Sequence, residues 1–230
     1  MVSFLVLSSY AIKTINWAGY KWVLRDDKQS GPGPNNWSSK NVWVDSSNRL
    51  HLKLSYSQVS GWTCAELYSE KKFGFGTYRW FVEGAIDRFD PNTVLGLFTY
   101  AGVDSVNEID IEMALWGQTK PEASNLFYTI YPSTNAVKQV SSGMRMRLQG
   151  TYTTHQFVWT RENVKLQSQN GFPNSPQQNV FFKYQTPASF ARNVPVLSVP
   201  LHMNLWLFQG KPPADGKEVE IIIHDFKYTK

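Results

Sequence analysis

Apolar and polar residues alternate along much of this chain with a period of two, the signature of strands that bury one face. Leu50, Leu52 and Leu54 alternate with His51, Lys53 and Ser55; Tyr78, Trp80 and Val82 with Arg79, Phe81 and Glu83; Leu126, Tyr128 and Ile130 with Phe127, Thr129 and Tyr131. Further strands are predicted over 94–100, 107–116, 155–160, 163–168, 199–208 and 218–228. Between them lie turn-forming clusters such as Gly31-Pro32-Gly33-Pro34-Asn35-Asn36 and Asn170-Gly171-Phe172-Pro173-Asn174. Trp159 to Val164 reads as a strand, a tight turn and a returning strand, and Gln169-Asn170-Gly171 closes the next hairpin. No segment has the spacing of a long amphipathic helix. The pattern predicts an all-β protein, an antiparallel β-sandwich or jelly roll. Its 230 residues suffice for a single domain over 1–230 with a substantial core, and neither a repeat nor a linker interrupts them.

Composition adds a hint of ligand. Aromatic residues make up 15% of the chain, with nine Trp, more than a core alone usually asks for; sugar faces stack on such rings. The net charge of +5 is spread without a run or stripe, which argues against a nucleic-acid partner. A lone cysteine, Cys64, excludes an internal disulfide. Residues 2–11 resemble the apolar half of a secretion signal with small residues at Ser9 and Ala11, yet lack its basic start; they read as a truncated signal or a first strand. No stretch approaches the roughly 20 apolar residues of a membrane span.

The chemistry concentrates in Asn107-Glu-Ile-Asp-Ile-Glu-Met-Ala-Leu-Trp116. On a strand, Glu108, Asp110 and Glu112 share one face while Ile109, Ile111, Met113 and Leu115 take the other. Three acids on one face repel each other, a poor choice for stability and a good one for glycosidic bond cleavage, which needs a carboxylic acid beside a carboxylate. The alternative at this point is a solvated sheet face whose acids pair with Lys or Arg on neighbouring strands. Residues 200–210 show the same two-faced logic, with Leu201, Met203, Leu205 and Leu207 inward and His202, Asn204, Trp206 and Phe208 forming a sugar-binding floor. Trp116, four residues past Glu112, falls on the acidic face if the strand continues straight and is expected to stack on a sugar.

Taken together, Gly74-Phe-Gly-Thr-Tyr-Arg79, Asn107-Glu-Ile-Asp-Ile-Glu112, His155-Gln-Phe-Val-Trp159 and Met203-Asn-Leu-Trp206 resemble glycoside hydrolase family 16 across roughly residues 20 to 228. The resemblance implies a curved jelly roll with the acids on its concave face and retaining, internal cleavage of β-linked polysaccharide by a secreted, monomeric enzyme that requires no cofactor. It matches Glu108 to the nucleophile, Asp110 to its electrostatic helper, Glu112 to the general acid and base, and Asn204 and Trp206 to sugar contacts. Phe75 and Tyr78 fall where the family's GxG strand borders the cleft. The regular, unbulged ExDxE form points to mixed-linkage β-1,3-1,4-glucan or β-1,3-glucan, although Tyr68 stands where relatives acting on mixed-linkage glucan tend to carry Arg. Asp225 sits where some relatives hold calcium, but one carboxylate does not make such a site, so no metal is predicted. A cell-wall transglycosylase and a non-catalytic carbohydrate-binding jelly roll are the alternatives.

Overall fold

The computed structural model describes residues 12–230; the signal-like or strand-like start over residues 1–11 lies outside the described residues. In chain order the strands are β1 (Thr14–Trp17), β2 (Tyr20–Leu24), β3 (Val42–Val44), β4 (Leu50–Ser57), β5 (Gly61–Thr63), β6 (Ala65–Phe73), β7 (Gly76–Glu83) and β8 (Thr93–Thr99). They continue with β9 (Ile109–Ala114), β10 (Leu126–Ile130), β11 (Val140–Met144), β12 (Tyr152–Trp159), β13 (Val164–Asn170), β14 (Val180–Gln185), β15 (Val199–Leu207) and β16 (Val219–Thr229). Two antiparallel sheets face each other as a jelly-roll sandwich. The first has the order β1-β2-β6-β15-β8-β9-β10-β11, and the second β14-β13-β12-β7-β16-β4-β3, with β5 paired to β4.

Alternation decides which side chains meet between the sheets. Leu201, Met203 and Leu205 of β15 and Ile109, Ile111 and Met113 of β9 turn inward, towards Tyr78, Trp80 and Val82 of β7 and Ile221 and Ile223 of β16. Each such large apolar side chain removed from water contributes roughly 1.5–3 kcal/mol. The hairpin expected at 159–164 pairs Trp159 with Val164.

One polar network bridges the apolar layer. Tyr128 Oη of β10 and Ser168 Oγ of β13 lie 2.6 Å apart; Ser168 Oγ is 2.7 Å from His155 Nδ1, whose Nε2 is 2.9 Å from Thr153 Oγ1. Burial holds His155 in its neutral form and pulls its pKa down to about 3. This histidine of the third family-like motif is therefore a structural residue of the interior. Among the described residues no helix is long and apolar enough to cross a membrane.

Candidate active site

The outer face of the first sheet carries a cleft of about 950 Å³. Its floor is assembled by register. Glu112 of β9 lies opposite Gly96 of β8, Gly96 opposite Asn204 of β15, and Asn204 opposite Glu66 of β6. The adjoining row runs from Asp110 through Phe98 and His202 to Tyr68. Gly96 is small for a reason: a Cβ there would meet Asn204 Oδ1 at 2.5 Å and Phe98 Cδ1 at 3.3 Å.

The strand with the three acids is shorter than the alternation suggests. Asn107 adopts φ 53° and is tied down by its N–H to Pro132 O, its Nδ2 to Ser133 O and its Oδ1 from Val196 N. Regular pairing resumes at once, the Glu108 carbonyl accepting from Tyr131 N at 2.9 Å. Glu108, Asp110 and Glu112 all line the cleft. The residues opposite Asp110 and Glu112 are Phe98 and Gly96 on one side and Thr129 and Phe127 on the other, so no Lys or Arg faces them across the ladder.

Without such partners, burial dominates their electrostatics. The Glu108 carboxyl is pushed up to about 8, by desolvation first and then by Glu112 and Asp104. Glu112 is pushed up to about 7 by desolvation. Asp110, the innermost, is held well above the usual carboxylate range by burial and by both flanking glutamates, and its Oδ1 has no hydrogen-bond partner among the described residues. The set titrates together, so its protons are shared and the cleft passes through a mixed state, with one carboxyl protonated beside another that is ionised, as the pH rises.

Of the other residues singled out from the sequence, His202, Asn204 and Trp206 also line the cleft. Four do not. Trp116 falls beyond the end of β9, in a turn where it adopts φ 53° and Gln118 N returns to Leu115 O; the expected straight strand stops at Ala114. Its half-buried ring packs against Trp206 (6.1 Å between centroids), Phe127 and Phe208 (5.5 Å), so Trp116 and Phe208 stand behind Trp206 as one aromatic group. Phe75 and Tyr78, expected to border the cleft, do not line it. The strand after the GxG segment is β7, which belongs to the second sheet. Tyr78 is fully buried there, its hydroxyl donating to Gly74 O. Phe75 packs edge-on against Trp159. Asp225 caps its neighbour Phe226 N and pairs with Lys227.

The structure adds residues that the sequence reading missed. Glu66, Phe98, Tyr100, Asp104 and Arg25 line the cleft; Tyr100 donates to Asp104 at 2.6 Å. Tyr131, whose proton affinity is raised by burial and then by Asp110, Glu108 and Glu112, stands beside the acids. A signal for it existed, since Tyr131 continues the outward set Phe127, Thr129 that pairs with Glu112 and Asp110. Phe98 is likewise outward by alternation in β8, Glu66 owes its place to long-range register, and Arg25, Tyr100 and Asp104 come from segments beyond the strand ends.

Solved structures share this fold. A Bacillus licheniformis β-glucanase superposes with a TM-score of 0.67 at 20% identity, covering 97% of this chain and 95% of that one. The chain has the β-glucanase fold. A Bacteroides ovatus mixed-linkage glucan GH16 protein in complex with a G4G4G3G product matches the same β-glucanase fold at TM-score 0.64 and 14% identity, covering 90% and 94%. So does an immunostimulatory antigen and pseudo β-1,3-glucanase of Mycobacterium tuberculosis, at TM-score 0.66 and 14% identity, covering 91% of each chain. No family model and no curated protein matches the sequence.

Proposed function

We propose that this protein is a retaining, endo-acting hydrolase of β-linked glucan, of the glycoside hydrolase family 16 type, acting on mixed-linkage β-1,3-1,4-glucan or β-1,3-glucan. One observation carries the reading: three outward carboxyls line an open cleft, no Lys or Arg facing Asp110 or Glu112 across the ladder, with the proton affinities of Glu108 and Glu112 raised into the neutral range and that of Asp110 held well above its usual range. Such a set costs stability and serves acid–base chemistry. Two aromatic groups centred on β15 adjoin it, Tyr68, Phe98 and Tyr100 around His202, and Trp206 backed by Trp116 and Phe208.

Burial ranks Glu108 above Glu112 in proton affinity, the reverse of the roles the family resemblance gives them, so the reaction proceeds from the form of the coupled set in which the shared proton sits on Glu112. In that form Glu112 gives its proton to the glycosidic oxygen as ionised Glu108 attacks the anomeric carbon, so the leaving chain departs as an alcohol and a glycosyl ester forms. Asp110 sits between them, its polarity tuning both. Glu112, now ionised, takes a proton from water; the water oxygen displaces Glu108 and the anomeric configuration is retained. The residues imply no cofactor, and we assign the protein an extracellular, monomeric role on polysaccharide.

A panel of mixed-linkage glucan, laminarin, xyloglucan, agarose and chitin tests the reading through reducing ends released, with NMR of the first-formed anomer. Glu108→Gln and Glu112→Gln are each expected to lose at least about 10²-fold in kcat. Full activity in both variants ends the assignment. Added acceptor oligosaccharide distinguishes transglycosylation, which lengthens chains. The pseudo β-1,3-glucanase of the same fold supports a second reading, glycan binding without cleavage; saturable binding with no reducing ends from any polymer would establish it.

A further inference from the structure

The cleft contains a charged chain that the three acids do not use. Glu66, buried on β6, has both carboxyl oxygens occupied: Arg25 Nη1 donates to Oε2 at 2.6 Å, and His202 Nδ1 lies 2.9 Å from Oε1. Arg25 is itself fixed by Asp27, by Ser30 Oγ at 2.9 Å and by stacking on Trp37 at 4.2 Å. A carboxylate paired with Arg only accepts hydrogen bonds, so the hydrogen between Glu66 and His202 belongs to Nδ1. With Nδ1 donating, the neutral form of the ring carries its lone pair on Nε2, which has no hydrogen-bond partner among the described residues. The ring cannot swing away, because Tyr68 stacks on it at 5.2 Å and 19°, Phe98 lies at 5.1 Å and Tyr100 meets it edge-on at 5.7 Å.

We propose that His202 is a specificity-determining residue whose Nε2 accepts a hydrogen bond from a free sugar hydroxyl, with Glu66 and Arg25 acting as positioning residues that set its tautomer. The inference rests on the glucan-cleaving reading and extends it. His202 stands two strands, about 10 Å, from Asp110, so it reads a sugar beyond the one on the acids. An acceptor fixed in this way selects a chain with an unsubstituted hydroxyl at that position. Where the oxygen carries a methyl or sulfate group, no hydrogen is left to donate and a buried acceptor goes unpaired. The substrate favoured is therefore a glucan whose hydroxyl at that position is free, over one sulfated or etherified there.

The test compares wild type with His202→Gln, which returns an amide acceptor near Nε2, His202→Met, which fills the space without one, and Glu66→Gln, which loosens the tautomer. On oligosaccharides long enough to span both aromatic groups, H202M is expected to lose roughly tenfold or more in kcat/KM, mainly through KM. H202Q is expected to recover most of it and E66Q to fall between. The preference of wild type for unsubstituted over O-methylated oligosaccharide should shrink in H202M by the same factor. Thermal unfolding and calorimetric affinity for the oligosaccharide accompany the kinetics. Should H202M match wild type in KM and in discrimination while wild type cleaves glucan, the role of His202 is overturned and the glucanase reading stands. If wild type binds glucan without cleaving it, the same ordering in affinity supports the role, whereas equal affinities overturn it. A wild-type protein that neither cleaves nor binds any glycan overturns both.

Discussion

Glu108 and Glu112 illustrate how a site works against its own fold. Their proton affinities are raised to about 8 and about 7 by burial, so the folded state holds protons that the unfolded chain has released above its ordinary carboxylate range. Between pH 4.5 and pH 8 the native state therefore binds more protons than the unfolded state, and stability falls as pH rises. Removing one carboxyl relieves this. Glu108→Gln is expected to raise Tm by roughly 3–6 °C at pH 8 and to leave it nearly unchanged at pH 4, read by thermal scans at the two pH values. An equal shift at both, or a fall at pH 8, contradicts the electrostatic account. Activity follows the same groups: kcat/KM should be bell-shaped with its maximum at neutral to weakly alkaline pH, because chemistry needs one glutamate charged and one protonated. A flat profile from pH 5 to 9 would exclude the coupled pair as acid and nucleophile.

At the scale of elements, β8 shows why a floor needs a gap. Gly96 lies between Glu112 and Asn204, whose Oδ1 is buried without a donor among the described residues. A methyl group at 96 would drive Asn204 aside, since the two would approach to 2.5 Å. Gly96→Ala is therefore expected to raise KM about fivefold or more and to cost about 1–2 kcal/mol of stability by denaturant titration. Adding Asn204→Ala should recover stability but not KM, a non-additive pair; additive losses would place the clash elsewhere. The neighbouring β15 was legible in advance over 199–208, since Leu201, Met203 and Leu205 alternate cleanly with His202, Asn204 and Trp206. Its partner β6 was not. There Ser69 takes an inward place, satisfied by Lys71 O and Leu201 N beside the bulge at Pro200/His202, and two lysines follow, so the period-two signal dissolves. The edge strand β11, Val-Ser-Ser-Gly-Met, is likewise too polar to announce itself. Glu66 was hidden for that reason, and Tyr68 stood out only as a departure from the family pattern: both reach the cleft through a strand recognisable only by its pairing. Tyr78 shows the converse, since its alternation with Trp80 and Val82 already placed it on a buried face, as the structure does.

Across the whole molecule, two buried titrating groups pull stability in opposite directions. His155, in the layer between the sheets, is kept neutral by burial, its proton affinity pulled down to about 3. Below pH 6.5 the unfolded chain takes up a proton that the folded protein refuses, so this group's contribution is lost as pH falls from about 6.5 towards 3, at up to about 1.4 kcal/mol per pH unit. The cleft acids lose theirs as pH rises from about 4.5 to 8. In the overlap the slopes oppose each other and stability should change little, with steeper decline to either side. His155→Gln separates the two. Its amide can still meet Ser168 or Thr153, at a cost that does not vary with pH. Denaturant midpoints at pH 3.5, 5, 6.5 and 8 should therefore show a deficit against wild type that is constant at pH 6.5 and 8 and shrinks progressively below. In the double variant with Glu108→Gln both limbs should flatten, each by its own amount, because the interior network and the cleft lie on opposite faces of the first sheet and share no side chain. A deficit that widens in acid would mean that His155 is charged in the folded protein, and the Tyr128–Ser168–His155 bridge would then need an acid nearby that none of its hydrogen-bond partners supplies.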